Sequence, residues 1–259
     1  MGAGIRISLG STVTLERRAD SEIKTSVDGE PFDAKIIEDT IRYLEPAGGY
    51  DVEVRRDLPG SQGFGMSAAD AVASALCICA LSGKSEEEGY RAAHVADMKN
   101  GGGRGDVAGI MSHCRQPTRT EAGIPPFGKT VDFGVGLDRI SLAVLGNPTV
   151  TGTVLSDREK SIRIRNAGSE AVKRYIGNPS EESLYGISNV FSAEAEVRTP
   201  EVKYALEKLR EEGLNGAMCM LGNSIFSSAS EEVLRQLLPD AYVVSCRATS
   251  EQAKIIRRE

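Results

Sequence analysis

The sequence has little of what several common classes of protein require. Its 259 residues include no tryptophan, two histidines and five cysteines, none of them in C-x-x-C spacing. An odd number of cysteines without paired spacing indicates neither a disulfide framework nor a zinc knuckle. We therefore expect a reducing, cytoplasmic location. The longest apolar run, residues 71–81, is too short to span a bilayer. The formal net charge of −6 disfavours a nucleic-acid-coating protein. We therefore expect neither a membrane nor a nucleic acid as partner.

The remaining pattern mixes short alternating segments with helical ones, which predicts an α+β fold. We predict two lobes that meet near residue 137, with domains at 1–137 and 138–259. The predicted strands are 5–17, 23–27, 50–54, 129–133, 140–145, 150–155 and 241–246. The predicted helices are 33–44, 67–81, 85–99, 157–176, 181–195, 200–212, 231–238 and 250–258. We interpret residues 116–128, with three prolines, as a loop.

Glycine is abundant, at 28 residues, and it is clustered. Gly60, Gly63 and Gly65 lie between a predicted strand and a helix that begins at Ser67. Glycines let a backbone approach a phosphate closely, and a helix N-terminus offers unpaired N–H donors. The loop is not a Walker A motif, because no lysine or arginine follows its last glycine, and it is not G-x-G-x-x-G. By itself it indicates either an anion-binding loop or a tight strand-to-helix turn.

Two acidic residues accompany a second glycine cluster. Asp97 precedes residues 101–105, which contain four glycines, and Asp106 follows them. A carboxylate beside a flexible loop can act as a base toward a hydroxyl or as a ligand of Mg²⁺. Spacing alone favours the plainer alternative, in which Asp106 caps a helix over 107–113 and Asp97 lies on a solvated helix face.

Two further features have plain interpretations. The apolar segment 216–224 is interpreted as a buried core strand with a bulge at Gly222. His94 and His113 lack a metal-ligand partner four residues away, so we interpret them as packed or surface histidines.

Several segments together resemble one family. PGSQGFGMSAA at 59–69 is similar to the phosphate-binding signature P-x-x-x-G-L-G-S-S-A-A of the GHMP kinase superfamily. Its GFGMSAA variant most resembles the archaeal pantoate kinases within that superfamily. Residues 93–109, 123–129, 151–157 and 220–226 resemble later segments of the same family, in the same order.

The resemblance implies a two-lobed GHMP kinase fold, with an N-terminal ribosomal-protein-S5-like lobe and a C-terminal ferredoxin-like lobe. It implies an ATP- and Mg²⁺-dependent kinase that phosphorylates the primary hydroxyl of (R)-pantoate to 4-phosphopantoate for coenzyme A synthesis, with a homodimer as the family-level expectation. Asp106 would be catalytic, and Ser67 and Asp97 would serve the metal. Gly222, Asn223 and Ser224 would lie near the substrate. The nucleotide would contact Pro59, Gly60, Gly63, Phe64, Gly65, Met66, Ser67, Ala68 and Ala69.

The sequence also departs from the family pattern. Members begin with a strand that carries a P-G-H-like first motif, which we do not find here, so we expect the first lobe to be truncated at its start. Asp70 replaces a small residue, and its charge near the predicted phosphate-binding helix is tolerated if it points to solvent. Two alternatives therefore stay open: a GHMP kinase for another small hydroxy acid or alcohol, and a truncated, non-catalytic regulator that binds nucleotide.

Overall fold

The protein is described here from a computed structural model, in residues 1–103, 105–148 and 157–256. The predicted strand at 150–155 lies outside these residues. No helix in the described ranges is long and apolar enough to cross a membrane.

The N-terminal half places helices against a four-stranded sheet. The strands are β2 (Ser11–Arg17), β3 (Ile23–Val27), β4 (Glu30–Pro31) and β5 (Tyr50–Arg56), in the order β2-β5-β3-β4. β5 pairs antiparallel with β2 and parallel with β3. Its alternating Val52 and Val54 are buried, as the period of a half-buried strand requires.

The helices of this half pack on that sheet and on one another. They are α1 (Lys35–Leu44), α2 (Met66–Ser82), α3 (Glu86–Lys99) and the short α4 (Asp106–Met111). The alanine-rich α2 is apolar on nearly every face and contacts α1, α3 and β2, so it forms the centre of this core. Ser85 caps α3 in a capping box with Glu88, as the S-x-x-E sequence predicts.

A three-stranded sheet corrects one prediction. It has the order β1-β6-β7, formed by β1 (Gly2–Ala3), β6 (Pro117–Glu121) and β7 (Lys129–Asp132). The segment 116–128, predicted as a loop, therefore contains a central strand. Pro117 is tolerated because it is the first residue of the strand, where a missing N–H costs least.

The C-terminal half contains a four-stranded antiparallel sheet in the order β11-β8-β10-β9. Numbered within this half the order is 4-1-3-2, the ferredoxin-like arrangement, so that expectation is confirmed. The elements are β8 (Arg139–Val144), α5 (Arg158–Gly177), α6 (Glu181–Glu194), α7 (Pro200–Glu211), β9 (Gly216–Met218), β10 (Ser224–Ser227), α8 (Glu231–Leu237) and β11 (Tyr242–Arg247).

Two predictions in this half are wrong. The single strand expected around Gly222 is a hairpin, because β9 and β10 pair antiparallel across a turn. The helix expected at 250–258 is absent from residues 250–256, which follow an irregular path. Thr249 donates its backbone N–H to the Arg6 carbonyl, and Ala253 and Ile255 pack on the N-terminal core. These contacts replace the ones a helix would make.

Candidate active site

The glycine loop at 57–65 joins the end of β5 to the start of α2. Gly63 and Gly65 have φ of +79° and +70°, a left-handed conformation that favours glycine. Gly65 is the N-cap of α2, no side chain caps that end, and the first turn holds no acidic residue. Ser67, in this turn, is exposed. The helix start is therefore suited to an anion, whose negative charge would meet unpaired N–H groups.

The turn of the β9–β10 hairpin packs directly on this loop. A Cβ on Gly63 would lie 2.7 Å from the Cys219 carbonyl oxygen, and a Cβ on Gly222 would overlap the Gln62 backbone. The buried Gln62 connects the two segments: its Oε1 accepts the backbone N–H of Asn223 at 3.0 Å, and its carbonyl accepts the Ser224 hydroxyl at 2.6 Å. The two segments that the family resemblance places together are therefore adjacent.

The predicted substrate residues lie in this hairpin turn. Asn223 accepts the hydroxyl of Thr199 through Oδ1 at 2.7 Å, so its amide oxygen links the turn to the N-cap of α7. The Ser224 side chain is committed to the loop. Both side chains stabilise the turn, and the substrate role of Gly222, Asn223 and Ser224 remains a prediction.

Asp106 is the first residue of α4 and faces the glycine loop. A Cβ on Gly65 would lie 3.3 Å from Cγ of Asp106, and a Cβ on Gly103 would lie 2.6 Å from its Oδ2. The residue is accessible to solvent, yet neighbouring protein atoms surround its carboxylate. Poor hydration there raises the pKa of Asp106, and the nearby Arg119 opposes that rise.

Asp97 and Arg119 complete a charged cluster with Asp106. Asp97 is 1% exposed on α3, and its carboxylate fills the space where a Cβ on Gly102 would lie. Arg119, on β6, packs against Gly105 and interacts electrostatically with both acids. Burial lowers the pKa of Arg119, and the two acids oppose that shift.

The plainer interpretation of the two acids is wrong on two points. Gly105 is the N-cap of α4 and Asp106 is the first helical residue, so Asp106 does not cap the helix. Asp97 is buried rather than solvated, because α3 turns this face toward the glycine cluster.

His94 lies one turn before Asp97 on α3 and is buried, in agreement with the interpretation as a packed histidine. Burial lowers the pKa of His94, and the charge of Arg119 adds to that effect. His113 is exposed.

Arg119 is the residue of the site that the sequence analysis missed. The region around it was interpreted as a loop, so no face could be assigned to it. The available signal was Thr118–Arg119–Thr120, whose threonines favour a strand.

The described residues contain no cluster of three or more histidines, cysteines and acids placed to hold a metal. Mg²⁺ in phosphoryl transfer takes one or two carboxylates and otherwise phosphates and water. The hydroxyl of Ser67 and the carboxylate of Asp97 are oxygen ligands of the kind it prefers. Their metal-binding role remains a prediction.

Asp70 does not point to solvent and is completely buried in α2. Its Oδ2 accepts from Nε of Arg56 at 3.0 Å, and its Oδ1 accepts the Ser11 hydroxyl at 2.7 Å. The charge is tolerated because both oxygens are paired, not because it is solvated.

Comparison with known proteins indicates the class of protein to which the chain is similar. Residues 34–113 match the family model of the GHMP kinase N-terminal domain. With the fold and the glycine loop beside an accessible aspartate, this makes the chain a kinase with the GHMP kinase fold.

The relatives are more specific. The chain is 27% identical to the pantoate kinase of Thermococcus kodakarensis, over 93% of this chain and 83% of that protein. It is 25% identical to the pantoate kinase of Methanospirillum hungatei, over 91% and 81% of the two chains. A solved phosphotransferase related to the CoA biosynthesis pathway superposes with a TM-score of 0.85 at 25% identity, covering 97% of this chain and 88% of that one.

Proposed function

We propose that the protein transfers the γ-phosphoryl group of ATP to the primary hydroxyl of (R)-pantoate, in the cytoplasm. The observation that carries the proposal is the accessible Asp106 carboxylate, held against the glycine loop at the start of α2. The likeness to the two archaeal pantoate kinases over most of the chain supports the choice of acceptor.

We assign separate roles in phosphoryl transfer to the residues of the site. The reaction depends mainly on positioning and charge neutralisation. Backbone N–H groups at Gly65, Met66 and Ser67 would bind the phosphates. ATP supplies the phosphoryl group and Mg²⁺ neutralises its charge, with Ser67 and Asp97 as the proposed protein ligands. Asp106 orients the acceptor hydroxyl and accepts its proton, a task for which a raised pKa gives greater proton affinity.

Arg119 suits the acceptor. Pantoate carries a carboxylate in addition to the hydroxyl that is phosphorylated, and such a carboxylate needs a cation near the base. Arg119 is electrostatically coupled to both Asp97 and Asp106, which places a guanidinium next to the proposed base. We therefore assign to Arg119 the recognition of the acceptor carboxylate, a bond that arginine makes bidentately.

The test measures ADP release with ATP and Mg²⁺, comparing (R)-pantoate with shikimate, mevalonate and homoserine. We expect turnover that depends on pantoate, and in Arg119→Gln we expect the KM for pantoate to rise about 10- to 100-fold, the loss of one charge-assisted bond. The KM for ATP should change little. Arg139→Gln, which removes an exposed arginine from β8, is the control.

The other outcomes identify the two alternatives. Turnover with another hydroxy acid and not with pantoate would show a different GHMP kinase. ATP binding without turnover on any acceptor would show a nucleotide-binding regulator. An Arg119→Gln variant with an unchanged KM for pantoate would remove this residue from acceptor recognition.

A further inference from the structure

A buried ion pair lies beside the glycine loop at Gly60, whereas Asp106 approaches the loop at Gly65. Arg56 is the last residue of β5 and Asp70 lies in the second turn of α2. The Asp70 side chain is 0% exposed and that of Arg56 is 11% exposed. An isolated buried carboxylate is costly, and here Arg56 places the opposite charge beside it.

The pair is held from several directions. Nε and Nη2 of Arg56 both bind Oδ2 of Asp70, at 3.0 and 2.5 Å, and the Ser11 hydroxyl of β2 donates to Oδ1 at 2.7 Å. The Phe32 ring covers the guanidinium, with Cζ of Arg56 5.4 Å from the ring centroid. These contacts together restrict the orientation of both charged groups.

The same guanidinium contacts the glycine loop. A Cβ on Gly60 would lie 2.9 Å from Nη1 of Arg56. Arg56 precedes the loop, Gly60 lies within it and Asp70 follows it. The ion pair thus joins the strand before the loop to the helix after it, with one edge of the guanidinium against the loop backbone.

We propose that the Arg56–Asp70 ion pair positions the phosphate-binding loop by fixing its two ends relative to each other, and thereby sets nucleotide affinity. Both are positioning residues, because they act through the backbone of residues 57–65 and not through contact with substrate. Asp70 stands where the resembling family has a small residue. The ion pair is therefore a feature of this chain and is not part of the phosphate-binding signature of the family. The inference rests on the proposed function for the ligand, but its test requires only nucleotide binding.

The test compares Arg56→Lys and Asp70→Asn with wild type by calorimetric titration with ADP and Mg²⁺. Lysine keeps the charge but lacks the planar guanidinium that donates two N–H groups to Oδ2 of Asp70 and lies over the Phe32 ring. We expect the Kd for ADP to rise about tenfold or more in each variant, since small displacements of positioned groups have large effects. In steady-state assays the KM for ATP should rise, while the KM for the acceptor stays close to wild type.

The matched control is Arg18→Lys, in which an arginine bridging Asp20 and Asp51 is replaced on the same N-terminal half. Its ion pairs lie at the far end of β5 from the loop, so the Kd for ADP should not change. Thermal denaturation of every variant separates affinity from folding, because a purely structural pair would lower the Tm and leave the Kd of the folded protein unchanged.

Gly60→Ala probes the same contact from the loop side and does not bury an unpaired charge. The added Cβ would press on a guanidinium that Asp70 holds in place, so the Kd for ADP should rise here too. Equal ADP affinity in wild type, Arg56→Lys and Gly60→Ala would overturn the inference. A wild-type protein that binds no ADP would instead contradict the proposed function, and the inference with it.

Discussion

Two aspartates near the glycine loop have opposite surroundings. Asp70 is fully buried and its two oxygens are held by Arg56 and Ser11. Asp106 is open to solvent at the start of α4, and poor hydration raises its pKa. One carboxylate serves as a crosslink between elements, and the other keeps its capacity to accept a proton.

The difference shows how a carboxylate near the glycine loop becomes available for chemistry. An arginine that donates two N–H groups to a carboxylate stabilises its charged form and occupies lone pairs, which suits a structural role. Poor hydration without such a partner destabilises the charged form of a carboxylate and leaves its lone pairs open to a ligand. Position in the sequence does not distinguish the two, because each lies close to the start of a helix, Asp106 in the first turn of α4 and Asp70 in the second turn of α2.

The largest effect is expected from Asp106→Asn, compared with Asp70→Asn. Asparagine keeps the shape of the side chain but cannot accept the hydroxyl proton, so turnover should fall about 10²- to 10⁴-fold. ADP affinity should remain close to wild type, because Asp106 does not bind the phosphates. Asp70→Asn should show the reverse pattern, with weakened ADP binding. ADP-release assays and calorimetry on both variants measure the contrast, and wild-type-like turnover in Asp106→Asn would remove Asp106 from the mechanism.

An intermediate effect is expected from Gly63→Ala, with Gly83→Ala as the matched control. Both glycines have positive φ, so alanine strains either backbone by about 1–2 kcal/mol. At Gly63 the added Cβ would also lie 2.7 Å from the Cys219 carbonyl oxygen, which is too close. At Gly83 it would have no neighbouring atom within 4 Å. Gly63→Ala should therefore lose more unfolding free energy and also lose ADP affinity.

Urea denaturation and ADP titration measure this difference. Gly83→Ala should keep wild-type ADP affinity, because Gly83 is the C-cap of α2, at the opposite end of the helix from the loop. Equal destabilisation in the two variants would mean that the hairpin turn moves freely away from the loop.

The glycine loop and the helix after it could be predicted from the sequence, because glycine conformation and alanine-rich periodicity are local properties. The same holds for the capping box of α3 at Ser85 and for the strand β3 with its turn. The expectation of pantoate as substrate came from the resemblance of several segments to one family, and the two curated relatives that the chain matches are pantoate kinases.

Other features depend on contacts between distant segments. Because β6 begins at Pro117, its segment was predicted as a loop. Its strand character comes from pairing with β1 and β7. The apolar run around Gly222 has no internal mark of a hairpin, since the turn is fixed by Gln62 more than 150 residues earlier. The burial of Asp70 required knowledge that Arg56 and Ser11 converge on it, and the cluster of Asp97, Asp106 and Arg119 required the position of β6.

The smallest effect is expected in the pH dependence of kcat/KM, which tests most directly how Asp106 differs from Asp70. Asp106 must be ionised to accept a proton, and its pKa lies above the ordinary value of 3.8, so activity should fall on the acid side at a higher pH than a solvated aspartate would give. Arg119 lowers this pKa. Removing that charge in Arg119→Gln should therefore shift the acid limb to still higher pH, whereas Arg139→Gln should leave it in place. Titration of the nucleotide phosphates contributes equally to all three proteins, so the difference between profiles reports on Asp106. An acid limb that stays fixed or moves to lower pH in Arg119→Gln would show that this guanidinium does not act on the proposed base.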